Sequence, residues 1–194
     1  MKISHIALAL SFGTSLLLAA PAVQPEDKEM TEVIKIGKES AKKLGQTLGK
    51  NMKAHMKSGG PLDALNFCLN EADTLTQSVN KTLDADVKAK RVSMRSRSAA
   101  NLPNESEKKV LESLETLQQA GVTLPKYLVQ KVAPKEFKFY KPIVIDKGVC
   151  LKCHGNLEEG KLKSTIEARY PQDKAVGYKM NDLRGAIVVD IKTK

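Results

Sequence analysis

From Glu29 to Lys57 the apolar positions follow a helical rhythm. Met30, Ile34, Gly37, Ala41, Leu44 and Leu48 recur at alternating steps of four and three, which stacks them on one helix face. Gly37, Gly45 and Gly49 weaken this helix slightly and let a partner element approach closely. Ser58-Gly59-Gly60-Pro61 ends it, and Pro61 opens a second helix. There Leu65, Cys68, Ala72, Leu75 and Val79 repeat the stripe, which puts Cys68 on the buried face.

Lys88 to Pro103 is rich in Arg and Ser and reads as a loop containing a strand. Asn104 and Glu107 form a capping-box pair that opens a third helix. Its inward positions are Val110, Leu111, Leu114 and Leu117, and Gly121 is its stop. Phe137 to Ile145 is strand-like, with Phe139, Ile143 and Ile145 inward; Ile166 to Tyr170 and Gly185 to Ile191 are further strand candidates. Helices dominate the first two thirds and strands the last third, so the expected class is α+β and not a wound parallel sheet.

Ahead of these elements stand Lys2, an apolar run from Ile6 to Ala20, and the small-residue site Ala20-Pro21-Ala22. Together they read as a cleavable secretory signal. A run of about 15 residues is short for a membrane span, and no Cys lies near the cleavage site to accept a lipid. The expected organisation is a signal peptide over 1–22, an N-terminal helix over 23–60 and one domain over 61–194. The expected location is periplasmic, without stable membrane insertion. The formal net charge is +10, and Lys2 is the only charged residue before Gln24, so the exported chain stays basic. Such a surface suits acidic partners or anionic headgroups, but a solvated Lys-rich exterior is the favoured account of it. The lysines are not interleaved with aromatics, and no nucleic-acid partner is expected.

Cys150-Leu151-Lys152-Cys153-His154 is the attachment pattern for c-type haem. The two thiols add across the haem vinyl groups, and two intervening residues let both sulfurs reach one porphyrin edge. The adjacent His154 then serves as proximal iron ligand. Export disfavours a thioredoxin-like reading, a disulfide rarely bridges so tight a loop, and zinc would want two more such ligands. One covalent haem c is the expected cofactor. The third cysteine, Cys68, is either a small core residue or the sixth ligand. His55 is its rival, and Met52, Met56, Met94 and Met180 stay open too. Arg91, Arg95 and Arg97 alternate, so a strand would carry all three on one side. Forked guanidinium groups suit buried carboxylates such as haem propionates; a solvated basic edge is the alternative. Tyr140, Tyr170 and Tyr178 are either porphyrin wall or ordinary core.

Four blocks stand in order along the chain. The first is Asn66-Phe67-Cys68. The second is Arg91-Val92-Ser93-Met94-Arg95-Ser96-Arg97, running on to Asn101-Leu102-Pro103. Tyr140-Lys141-Pro142-Ile143 leads into the haem motif and Gly155. The last runs from Tyr170-Pro171-Gln172-Asp173 to Gly177-Tyr178 and ends in Leu183-Arg184-Gly185-Ala186. Together they resemble the PAS-like monohaem c-type proteins, a family first catalogued as a domain of unknown function and also found as sensory ectodomains. The resemblance implies a PAS-like antiparallel sheet with flanking helices, and a haem ligated by His on one face and Cys on the other. Carried onto this chain, those ligands are His154 and Cys68, and the motif positions Asn101 and Pro142 join the arginines and tyrosines as haem-binding candidates. The family often has Arg-Asn-Pro where this chain has Arg97-Ser98-Ala99, so the loop lacks proline's constraint.

Three classes of function follow. A single-haem electron carrier is the favoured reading. A haem-based redox or gas sensor, signalling through a separate partner, is the alternative. An enzyme such as a small peroxidase is disfavoured, because two protein ligands leave no open iron position. The expected partner is a redox protein that the sequence does not identify, an acidic one being compatible with the basic surface, and the N-terminal helix is the expected contact in any homodimer.

Overall fold

A computed structural model describes residues 25–194, and the expected signal peptide over 1–22 lies outside the described residues. The span α1 (Pro25–Asn70) is two helical arms joined at a kink where the break was expected, with Gly60 non-helical at φ 72°. Glycine takes that left-handed value without a Cβ penalty, and Pro61 behind it supplies the fixed φ that starts a helix. The second arm ends sooner than its apolar stripe predicts. Glu71 interrupts it, and α2 (Ala72–Asn80) follows.

Four strands, β1 (Val87–Val92), β2 (Leu128–Ala133), β3 (Glu136–Val144) and β4 (Leu183–Lys192), pair antiparallel in the order β1-β4-β3-β2. Helices α3 (Glu105–Gln119), α4 (Gly148–His154) and α5 (Lys161–Arg169) complete an α+β fold. Side chains alternate across the sheet. Phe137, Phe139, Ile187 and Val189 meet Val33 and Leu44 of α1 on one face. Tyr140, Ala186 and Val188 meet Leu111 and Leu114 of α3 on the other. Gly37 lies directly on Phe139, where any Cβ would run into the ring. That ring stacks on Tyr127 at 5.2 Å and has little room to swing away.

Three expectations are corrected. Ile166 to Tyr170 is not a strand: residues up to Arg169 belong to α5, whose sole buried residue is Ile166. One buried position carries neither the helical nor the strand period. Strand β2 was not expected, because it turns into β3 through Lys135 at φ 62° without the usual Gly or Asn. Leu117 of α3 is 38% exposed, near the C-terminal end of a helix whose capping box forms as expected.

The same capping box anchors α3 to the sheet. Glu107 is fully buried and accepts hydrogen bonds from Lys90 Nζ and Lys138 Nζ, each at 2.9 Å, and from the backbone N–H of Asn104 at 3.0 Å. Lys138 also pairs with Asp190. Burial pushes the Glu107 carboxyl up, but the two lysines and the cap outweigh it and hold the group below its ordinary value of 4.5. A depressed carboxylate stabilises the fold above its unfolded value, and that contribution is lost as pH falls through the folded one. Glu107→Gln should therefore cost about 3 kcal/mol at neutral pH, the scale for breaking one side of a buried ion pair. Chemical denaturation should show the gap between variant and parent closing as pH drops below 4.5. A gap independent of pH would remove the ion-pair account.

Candidate functional site

Between α1, one face of the sheet and α4 lies a cavity of about 1450 Å³. Its apolar walls include Leu48, Met52 and Phe67 of α1 and Phe139, Ile143 and Ile187 of the sheet. In α4, Cys150, Cys153 and His154 stand at i, i+3 and i+4, which places them on one helix face. All three line the cavity. The Cys153 thiol reaches within 3.9 Å of the Pro61 carbonyl, so α4 abuts the kink of α1.

His154 Nδ1 lies 2.8 Å from the Ala175 carbonyl oxygen. A carbonyl only accepts, so Nδ1 carries the proton and Nε2 keeps its lone pair. Burial, with the positive charges of Arg184 and Arg97, pushes His154 down to about 3, so the ring is neutral at physiological pH. Tyr178 meets the ring edge-on at 6.3 Å.

The arginines divide their roles. Only Arg91 sits on β1; Arg95 and Arg97 lie in the loop beyond it, so the three do not share one strand face. Arg97 is 9% exposed and pairs with Asp173, itself 8% exposed, at 3.0 Å. It also donates to the Cys153 carbonyl at 2.8 Å and to the Ala175 carbonyl at 3.4 Å. The carboxylate expected for it is thus one of the chain's own. Arg95 turns away from the cavity, stacks over Tyr178 at 4.0 Å and donates to the Val176 carbonyl. Arg91 lines the cavity, and its Nε is a buried donor with no hydrogen-bond partner among the described residues.

Cys68 also opens onto the cavity. It is exposed, not buried as the stripe predicted, although Leu65 one turn before it is buried. Protein still surrounds it on several sides. Burial pushes its thiol up, while Arg91, Arg97 and Arg184 pull the other way. Among the rivals, Met52 and Met56 line the cavity. His55 does not: it is bound to Asp63 at 3.2 Å and stacked on Phe67. Met94 packs against the α3 cluster, and Met180 is exposed.

Asn101, Pro142 and Tyr170 line the cavity as well. Tyr140 does not, since it lies on the opposite sheet face with its hydroxyl 2.7 Å from Gln130. Tyr178 packs behind His154 in a small cluster with Ile145 and Ala175. Sequence reasoning passed over Arg184, whose guanidinium reaches the cavity and donates to Ser93 Oγ at 2.7 Å. The available signal was a lone arginine in the apolar run of β4.

No curated protein matches the chain. Among solved structures it is similar to the cyanobacterial heme-protein Tll0287, at 17% identity and a TM-score of 0.59, over 88% of this chain and 98% of that one. At that identity the likeness speaks for the fold. A family model described as Tll0287-like matches residues 22–192, which takes in every strand, the whole cavity and the Cys-x-x-Cys-His helix. The chain belongs to the Tll0287-like family.

Proposed function

We propose that this chain is an exported c-type haem protein that holds one haem covalently and works in electron transfer. The observation that carries the reading is α4, where two thiols and a neutral imidazole with a free Nε2 lone pair share one face and open onto the cavity. At about 1450 Å³ that cavity exceeds the roughly 300–1,000 Å³ of most small-molecule sites and has room for a porphyrin. The donors fit the group. Cys150 and Cys153 would take the vinyl carbons, and His154 the iron. Arg91, with its unmatched Nε, and Arg184 would meet the carboxylates. The fold shared with a protein described as a heme-protein supports the same assignment.

When bound, a haem supplies a one-electron couple whose potential follows its ligands and surroundings. The chain's own residues orient it. The Ala175 carbonyl fixes the His154 tautomer and makes Nε2 a better donor. Apolar walls exclude water. We read Cys68 as the sixth ligand, the sheet and its cavity as a PAS-like core, and the leader as a route to the periplasm.

Produced with the c-type maturation machinery, the chain should carry one haem that survives denaturation. Replacing Cys150 or Cys153 by Ser should leave at most one thioether by mass spectrometry. Extractable haem alone, or none, sinks the reading.

Cys68→Ala should abolish the low-spin thiolate signature of the ferric protein in electron paramagnetic resonance. An unchanged spectrum would pass the role to Met52 or Met56, the rivals that share the cavity.

The bend at Gly60 favours a second reading, as a redox or gas sensor. Cys68 rides on the arm beyond the bend, and an arm that shifts when the iron is reduced would transmit the event. Carbon monoxide added to the reduced protein separates the two. A spectrum that ignores the gas, with fast reversible electron exchange, supports the carrier. Rapid and complete binding overturns it in favour of the sensor.

A further inference from the structure

We propose that the lysine-lined mouth of the cavity is the docking surface for an acidic protein partner. The proposal rests on the haem reading for its purpose, since electrons would pass at this mouth, but docking itself needs only the surface.

Four lysines of α1 stand along one bank: Lys38, Lys42, Lys50 and Lys53. Lys126, Lys141 and Lys147 face them from the sheet side. All seven are exposed, and among the described residues none has a carboxylate within salt-bridge distance. The only polar engagement of Lys38 is with the Tyr127 ring, 4.6 Å away. Lys38 and Lys42 are one turn apart, an arrangement that destabilises a helix through like-charge repulsion, so folding alone does not favour it. Acids that pair with lysines elsewhere include Glu29 with Lys135 and Glu136 with Lys192.

The enrichment is local. The chain as a whole carries 32 basic residues against 22 acids. The residues lining this cavity include seven lysines and three arginines but only two acids, Asp73 and Asp146. Asp73 already leans on Arg91 at 3.9 Å. Flexible ammonium groups around an opening steer and orient an oppositely charged partner, with strong dependence on salt. The two banks flank a concavity, which a protruding acidic surface can enter and a flat bilayer cannot. Peripheral membrane binding also calls for apolar residues to insert. The large exposed ones, Leu102, Leu117, Val122, Val132 and Met180, are absent from the cavity lining.

The test is lysine footprinting of the full exported chain, its haem content read first by absorbance. Acetic anhydride labelling is followed by mass spectrometry, alone, with poly-L-glutamate, and with phosphatidylglycerol vesicles. Poly-L-glutamate should protect Lys42, Lys53 and Lys126 and leave Lys81, Lys108 and Lys109 open. The triple variant Lys42→Glu, Lys53→Glu, Lys126→Glu should bind the polymer about tenfold more weakly, a loss of about 1.4 kcal/mol. Lys81→Glu, Lys108→Glu, Lys109→Glu, of equal net charge, should bind like the parent. Lys→Gln at the three mouth positions provides the same comparison should reversal impair folding. Equal protection of all six lysines would reduce the effect to net charge and overturn the proposal. So would protection of the mouth by vesicles and not by the polymer. A chain without haem that shows the expected protection would remove the haem reading and leave the docking surface standing. A haem-loaded chain with an unprotected mouth would do the reverse.

Discussion

The ion pair between Arg97 and Asp173 holds the site together. It is almost wholly buried, and one guanidinium serves three segments. Its Nε and Nη2 reach Asp173, and Nη2 also reaches the Cys153 and Ala175 carbonyls. Asp173 in turn accepts from the Ala175 backbone N–H at 2.8 Å. The loop after β1, the C-terminal end of α4 and the segment before β4 are thereby fixed to one another. A cation at the last carbonyls of α4 also complements that helix end. Ala175 supplies the acceptor for His154 Nδ1, so the tautomer and direction of the imidazole depend on a pair of charges that never touches it. Removing either partner would leave the other buried and unmatched, which costs far more than the pair itself contributes.

A second constraint is the spacing between α1 and the sheet. At Gly37 the helix rests on the Phe139 ring, closer than any side chain would permit. Further along, Leu48, Met52 and Phe67 both join this core and line the cavity. One helix thus performs two tasks: its first part seals the core with Val33 and Leu44, and its later part, turned at Gly60, presents Cys68 to the space above α4.

What could be read from the sequence divides along physical lines. The arms of α1, helix α2 and helix α3 were legible because their apolar stripes, the Gly60-Pro61 break and the Asn104–Glu107 box are local signals; the short α4 was not expected as a helix. Strands β3 and β4 announced themselves through β-branched and aromatic runs. Strand β2 and helix α5 did not: one sits at a sheet edge and turns into β3 through Pro134 and Lys135, with no Gly or Asn at the left-handed position, and the other buries a single side chain. At the site, Cys150, Cys153 and His154 were legible because three consecutive constraints on residue type and spacing are rare by chance. The arginines were not, since their roles depend on where β1 stops. One residue of strand separates Arg91, which faces the cavity, from the loop that carries Arg95 onto Tyr178 and Arg97 onto Asp173. Cys68 was placed on the correct face but with the wrong burial, because a stripe reports direction and cannot tell packed core from cavity.

The charge inside the cavity carries the last step. Arg91, Arg97 and Arg184 all reach it: Asp173 pairs with Arg97, Asp73 stands 3.9 Å from Arg91, and among the described residues Arg184 has no carboxylate within salt-bridge distance. Burial pushes the Arg184 guanidinium down from its ordinary value, and its arginine neighbours add to the effect. Guanidinium groups do not escape such a position by losing a proton at physiological pH. The cost is met by carbonyl, hydroxyl and aromatic contacts: Ser93 Oγ and the Arg95 carbonyl for Arg184, and the Tyr178 ring at 5.4 Å. For Arg91 Nε there is no such contact. A fold that gathers this much positive charge against apolar walls is stabilised by any ligand that brings carboxylates into the same space. On the proposed reading, a haem does so with its propionates while its porphyrin meets the apolar walls. The charge that makes the cavity costly on its own is then the charge that selects its occupant.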